Sequence, residues 1–171
     1  MNNTPSDPNE FVKAYVNNQV TNTTNNDQTS DPNSFVKSYV DNKTSGPHPM
    51  DDSYVTKAEN DKGDQSYNNY CETFAEQLAY GRTGMYLTAQ DAWDAYAKQG
   101  QAIQMDPMKA PRGALVYYGA DSSNSNDGHV GFSDGMGNLV SATSNGVKTI
   151  PMIQWQQETG QKPLGFVIPN K

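Results

Sequence analysis

Helix-like segments precede closely spaced strand-like segments in this chain, an order that argues for an α+β domain with a mainly antiparallel sheet. The helical part carries an apolar 3.6-residue period that ends at glycines, over 71–81 and 88–100. The later part holds five short runs rich in Val, Leu, Ile, Tyr and Phe, separated by Gly, Asn, Asp and Ser. Residues 1–49 are dominated instead by Asn, Thr, Asp, Gln, Ser and Pro. Such a composition cannot bury enough apolar surface to offset chain entropy. The expected organisation is a flexible N-terminal region over 1–49 and one folded domain over 50–171.

The N-terminal region contains a repeat. DPNEFVKAYVNNQ at 7–19 returns as DPNSFVKSYVDNK at 31–43, a period of 24 residues. In each copy Asp7 or Asp31 can cap a helix whose first position suits Pro8 or Pro32, and Glu10 completes a capping box in the first. Phe11 with Tyr15 and Val12 with Val16 form one apolar face, repeated by Phe35, Tyr39, Val36 and Val40. A helix of about ten residues is marginal alone in water. These faces are therefore expected to pack on each other, on the domain or on a protein or cell-wall partner, or else to stay largely unfolded.

Within the domain, MDDSYVTKAENDKG predicts a short helix ended by Gly63. CETFAEQLAYG predicts a second, with Phe74, Ala75, Leu78 and Ala79 on one face and Gly81 as its stop. TAQDAWDAYAKQG predicts a third, opened by the capping pair Thr88 and Asp91 and carrying Trp93 and Tyr96–Ala97 inward. The strand-like runs are 114–118, 129–133, 139–143, 147–150 and 164–168.

Composition excludes several function classes. The chain has 171 residues and a formal net charge of −7, with no basic stripe, so a nucleic-acid partner is not expected. One cysteine and two histidines supply neither a disulfide framework nor an ordinary zinc site, so no metal or cofactor is implied. No apolar run approaches the roughly 20 residues of a membrane span, and MNNTPSDPNE shows neither a basic nor an apolar segment of a secretory signal.

The single cysteine, Cys71, opens the second helix in SYNNYCETFAEQLAYG. The start of a helix carries partial positive charge and unpaired N–H groups, which favour a thiolate and can cradle an oxyanion. Position alone equally suits a small buried hydrophobe. His48 lies in the flexible GPHP joint and reads as a solvated residue. His129 stands at the mouth of a strand, after the polar loop ADSSNSNDG, where it can reach a helix end. One cysteine and one histidine so placed suit a pair in which the imidazole takes the thiol proton and returns it to a leaving amine. A hairpin of 129–133 with 139–143 over DGMGN, in symmetric register, puts Ser141 and Thr143 near His129 on one face. Ser141 is thus the candidate third residue, with Ser144 or Asn145 in its place under another register. Tyr67, Tyr70, Tyr80, Tyr86, Trp93, Tyr117 and Tyr118 flank this candidate site in the sequence, mostly as core or core rim. The loop DSSNSNDG is only loosely like a calcium loop and reads as a solvated one.

YCETF (70–74), APRGALVYY (110–118) and GHVGFSDGMGNLVSAT (128–143) together resemble the NlpC family of papain-like bacterial cell-wall peptidases, with the CHAP amidases a close second. The resemblance spans roughly 50–171 and leaves the repeats uncovered. Its most specific part is the G-H-V-G strand, a short turn and a polar residue twelve positions after the histidine. It implies a papain-like fold with the nucleophile helix packed on an antiparallel sheet, and cleavage of a peptide or amide bond in peptidoglycan. Carried over by position, Cys71 is the nucleophile, His129 the base and Ser141 the third polar residue. Tyr67 takes the place of the tyrosine lining the oxyanion site, with Tyr70 and Glu72 beside the cysteine on the oxyanion and substrate-binding side. The chain departs from the family at Tyr70-Cys71-Glu72-Thr73, where Asp-Cys-Ser-Gly is usual, and at Ser141, where His, Asn or Gln is commoner.

The leading expectation is a cysteine peptidase or amidase of the cell wall, acting on a peptide stem or cross-bridge. Without a visible signal it would act as a phage lysin, in a virion, or after dedicated export. The alternative is a catalytically weak module that binds a glycopeptide or a protein in the same groove. A third assigns the main role to the repeats, as assembly elements carrying the domain as cargo. Deleting residues 1–49 separates this last reading: assembly is then lost while hydrolysis is retained.

Overall fold

The computed structural model describes residues 53–169, so both repeats lie outside the described residues. Four α-helices, five strands and two short 3-10 turns make up this part of the chain. In order they are α1 (Ser53–Asn60), α2 (Cys71–Tyr80), α3 (Ala89–Lys98), β1 (Leu115–Tyr118), β2 (His129–Ser133), β3 (Asn138–Thr143), β4 (Gly146–Pro151), α4 (Met152–Thr159) and β5 (Pro163–Val167). All strand pairs are antiparallel, and the sheet order is β4-β3-β2-β1-β5. The α+β class expected from the sequence is the class observed.

Each of the first three helices forms for a reason legible in its residues. Tyr54, Val55 and Ala58 are the buried face of α1, and the Tyr54 hydroxyl donates to Gly113 O at 2.9 Å. Helix α2 buries Phe74, Ala75 and Ala79 and ends at Gly81, whose φ of 67° closes the helix by an N–H bond to Gln77 O. Helix α3 starts where Thr88 Oγ1 accepts the Asp91 N–H at 3.0 Å, and it buries Ala89, Ala92, Trp93 and Tyr96.

These three helices cover one face of the sheet. Their apolar residues join Leu115, Tyr117, Val130, Phe132, Val140, Ala142, Val147 and Val167 in one core cluster. Phe132 is its centre, with ring centroids 5.5 Å from Tyr54 and 6.1 Å from Phe74. The opposite face carries Val116, Tyr118, Leu139 and Phe166, covered by Ile103, Ala110 and, from α4, Met152. Arg112 closes the seam between α1 and the approach to β1, with a two-pronged bond to the Glu59 carboxylate at 2.8 and 2.9 Å and a third to Thr56 Oγ1.

Helix α4 was not expected from the sequence. MIQWQQET has no side-chain cap and buries only Met152 completely, so it lacks the periodic apolar face that marks the others. Its packing against β4 and the stop at Gly160 (φ 71°) hold it instead. The strand bounds match the expected runs to within a residue or so, a shift that reflects fraying and pairing rather than a different register.

Phe132→Ala removes a fully buried ring and should cost about 3–5 kcal/mol, read as a lowered denaturant midpoint. Leu87→Ala, at a residue 94% exposed, should stay within about 0.5 kcal/mol of the parent.

Candidate active site

Strands β2 and β3 pair at Phe132↔Val140 and Ser133↔Leu139, the symmetric register expected over the Asp134–Gly137 turn. The turn is set by Asp134, whose Oδ1 accepts the N–H groups of Met136 and Asn138 at 2.7 and 3.0 Å. Continuing that register brings Ser141 opposite Gly131. A Cβ on Gly131 would lie 2.7 Å from Ser141 Cβ and 2.8 Å from Leu139 side-chain atoms, so only glycine lets the strands approach this closely.

The consequence is a hydrogen bond of 2.9 Å between Ser141 Oγ and His129 Nε2, both residues buried. Ser141 Oγ also lies 2.5 Å from Val130 O. A serine hydroxyl has one proton, and the carbonyl can only accept, so that proton goes to Val130 O. Ser141 must then accept from Nε2–H, which leaves Nδ1 as the basic nitrogen of the neutral ring. Thr143, the other expected neighbour, donates to Gly146 O at 2.8 Å and shapes the β3–β4 turn instead. Asn145 takes part in the same turn through its N–H to Thr143 Oγ1. Of the three expected candidates, Ser141 is the one bonded to His129, while Ser144 and Asn145 line the cleft.

Cys71 and His129 line one cleft of about 420 Å³. Backbone N–H groups of Val130, Glu72 and Cys71 itself face the sulfur, so the thiol sits against the residue that follows His129. The helix start has no side-chain cap. The remaining walls come from the Ser123–Ser125 turn, Gly128, β4 and α4. Gly128 has φ 74° and lies where a Cβ would meet Tyr118 O at 2.9 Å, so it lets the polar loop enter β2 directly at His129.

Burial governs the electrostatics here. It pushes the Cys71 thiol up to about 11, helped by the Glu72 charge, while the facing N–H groups pull the other way and lose. Burial also pushes His129 down to about 3. The sequence argument that the helix start favours a thiolate thus meets a stronger opposing effect. At neutral pH the thiol and the imidazole that line this cleft are both neutral.

The residues expected on the oxyanion and substrate-binding side are placed differently. Tyr67 packs its ring 5.2 Å from Phe74, Tyr70 is 64% exposed, and neither is among the residues lining the cleft. Glu72 is buried beneath α2 rather than turned to the cleft, because residue 72 points to the side of Glu76 and the sheet. Among the described residues its Oε2 has no hydrogen-bond partner, and neither does the Tyr117 hydroxyl. Burial, then the neighbouring Glu76, raises the Glu72 carboxyl to about 8. Glu76 itself accepts the N–H groups of Met85 and Tyr86 at 3.1 and 2.7 Å.

Of the aromatics singled out in the sequence none lines the cleft. Trp155 of α4 does, stacked on His129 with centroids 4.4 Å apart and planes at 24°. Its indole N–H donates to Gln161 Oε1 at 3.1 Å. Only its being a tryptophan in a polar segment could have drawn attention to it. The DSSNSNDG oxygens serve the backbone: Asp121 caps the Ser122–Asn124 turn, and Asn124 Oδ1 accepts the N–H groups of Asp121 and Gly128.

No protein-family model and no curated protein sequence matches this chain.

Two opposed pH dependences follow for folding. Glu72 is raised from 4.5, so its contribution is full below 4.5 and is lost as pH rises to about 8. His129 is lowered from 6.5, so its contribution is present above 6.5 and is lost as pH falls to about 3. Wild-type Tm should therefore fall between pH 6 and pH 8, and Glu72→Gln should flatten that fall. An equal fall in Glu72→Gln would remove Glu72 from the account.

Proposed function

We propose that this domain is a cysteine hydrolase of the NlpC-like, papain-like kind that cleaves a peptide or amide bond in bacterial peptidoglycan. The observation that carries the proposal is the Ser141–His129 hydrogen bond in a cleft that Cys71 also lines. The order of parts supports it too: a thiol at the start of a helix packed on β2 and β3, then a histidine at the start of β2.

The reaction begins with both groups neutral. As Sγ attacks the carbonyl carbon, the thiol proton passes to His129 Nδ1, so no ion pair has to form beforehand in the buried site. Negative charge moves to the carbonyl oxygen, where the uncapped N–H groups at the start of α2 are available to it. The tetrahedral intermediate collapses, the C–N bond breaks, and His129 returns its proton to the leaving amine. Water, deprotonated by the same nitrogen, then hydrolyses the thioester and frees the thiol. Ser141 accepts from Nε2–H throughout, which leaves Nδ1 as the nitrogen that exchanges the proton. Trp155 offers its π face to the imidazolium that forms in between.

The second reading, a module that holds a glycopeptide or protein without cutting it, is favoured by one observation. A thiol near 11 beside an imidazole near 3 is a weakly poised pair. In either case the natural setting is a lysin, a virion-associated hydrolase or an exported effector, with the repeats at 7–19 and 31–43 as a docking or wall-targeting arm.

Purified peptidoglycan from several bacterial types, digested and analysed by mass spectrometry, tests this directly. Wild type should release fragments that Cys71→Ala does not, and His129→Ala should lose about 10²–10⁴-fold in rate. Ser141→Ala should lose rate with little change in KM. Tight binding by wild type with no fragments from any wall would replace the hydrolase by the binding module.

A further inference from the structure

The basic residue among those described as lining the cleft has no role in the chemistry above. Lys148 of β4 is the Cα partner of Ser141 across β3–β4, so the two side chains leave the sheet on one face. Along β4 the exposed residues are Thr149 and Pro151, whereas Lys148 and Ile150 are half-buried and line the cleft. The lysine therefore sits on the inner side of its strand, beside the Ser141–His129 pair, and not on the solvent side where lysine is ordinarily found.

It is the only Lys or Arg among the residues lining the cleft, in a chain of net charge −7. The acidic lining residues are Asp127 and Glu158. Glu158 already accepts from Gln154 Nε2 at 2.7 Å, and the ion pair formed among the described residues is Arg112 with Glu59. Among the described residues Lys148, on a half-buried position, forms no ion pair, so its charge is open to an incoming anion.

We propose that Lys148 is a specificity-determining residue that receives a free carboxylate of the substrate next to the bond presented to Cys71. The substrate is then an anionic peptide whose side chain or terminus carries a free acid, and its amide counterpart is discriminated against. The proposal rests on the cleft being the substrate site of the proposed hydrolase, but it concerns binding and survives if no bond is cut. Ile150 and Trp155 supply apolar surface on either side for the carbon skeleton that bears the carboxylate.

Full-length Cys71→Ala provides a binding-only protein, and two muramyl dipeptides provide the probes, one with the glutamyl carboxyl free and one with it amidated. By calorimetry, with Trp155 fluorescence as a second readout, the free acid should bind about tenfold or more tightly than the amide. That preference should shrink with added salt, disappear in Cys71→Ala/Lys148→Met and persist in Cys71→Ala/Lys148→Arg. Equal binding of the two probes, or a preference that survives Lys148→Met, overturns the proposal, as does failure of both probes to bind at millimolar concentration. Aggregation of Lys148→Met with the preference retained would also overturn it, and would make Lys148 a guard of the β4 edge. Absence of wall cleavage together with a Lys148-dependent preference would sink the hydrolase and leave this inference standing.

Discussion

A single hydroxyl proton organises the site. Ser141 gives it to Val130 O and so has only lone pairs to offer His129 Nε2. That choice ties β3 to β2 where their backbone pairing has stopped, and it selects the tautomer whose Nδ1 is basic. It depends in turn on Gly131, since any side chain there would occupy the space of the Ser141 Cβ. A methyl group at residue 131 would therefore act on the imidazole without touching it. Backbone approach, register and protonation state are one constraint seen at three scales.

The opposing forces on the thiol show how magnitudes decide such a site. A helix terminus contributes a fraction of an elementary charge, screened by whatever lies around it. Removing a sulfur anion from water costs more, and Glu72 adds like charge one residue away. Location at a helix start is therefore insufficient to make a thiolate. Burial leaves both groups neutral at rest, so under the hydrolase proposal proton transfer accompanies bond formation. The stacking of Trp155 belongs to the same balance, since it keeps water from the ring and presents a π face to transient positive charge.

Much of this was legible in the residues. The caps at Thr88 and Gly81, the turn at Asp134–Gly137 and the parity argument that paired residue 141 with residue 129 all rest on local rules, and local rules survive folding. Tyr67, Tyr70 and Glu72 were harder, because the direction of a side chain near a helix start depends on how the helix rolls on the sheet. Glu72 in particular carries a charge that sequence reasoning places outside, while the helix packs it inward beside Glu76. Trp155 and Lys148 reach the cleft through the β3–β4 hairpin and a helix without a periodic face. Their proximity to His129 is a tertiary fact with no spacing to announce it.

The lone, half-buried thiol also has a bearing on durability. Oxidants and electrophiles react with thiolate, and the fraction of thiolate falls tenfold for each unit by which proton affinity exceeds pH. A sulfur held as far from ionisation as Cys71 is passivated at rest. Under the hydrolase proposal it becomes reactive when a carbonyl carbon and a proton acceptor are presented together. With no second cysteine in the chain to trap a sulfenic acid, such passivation is the protection available to the sulfur.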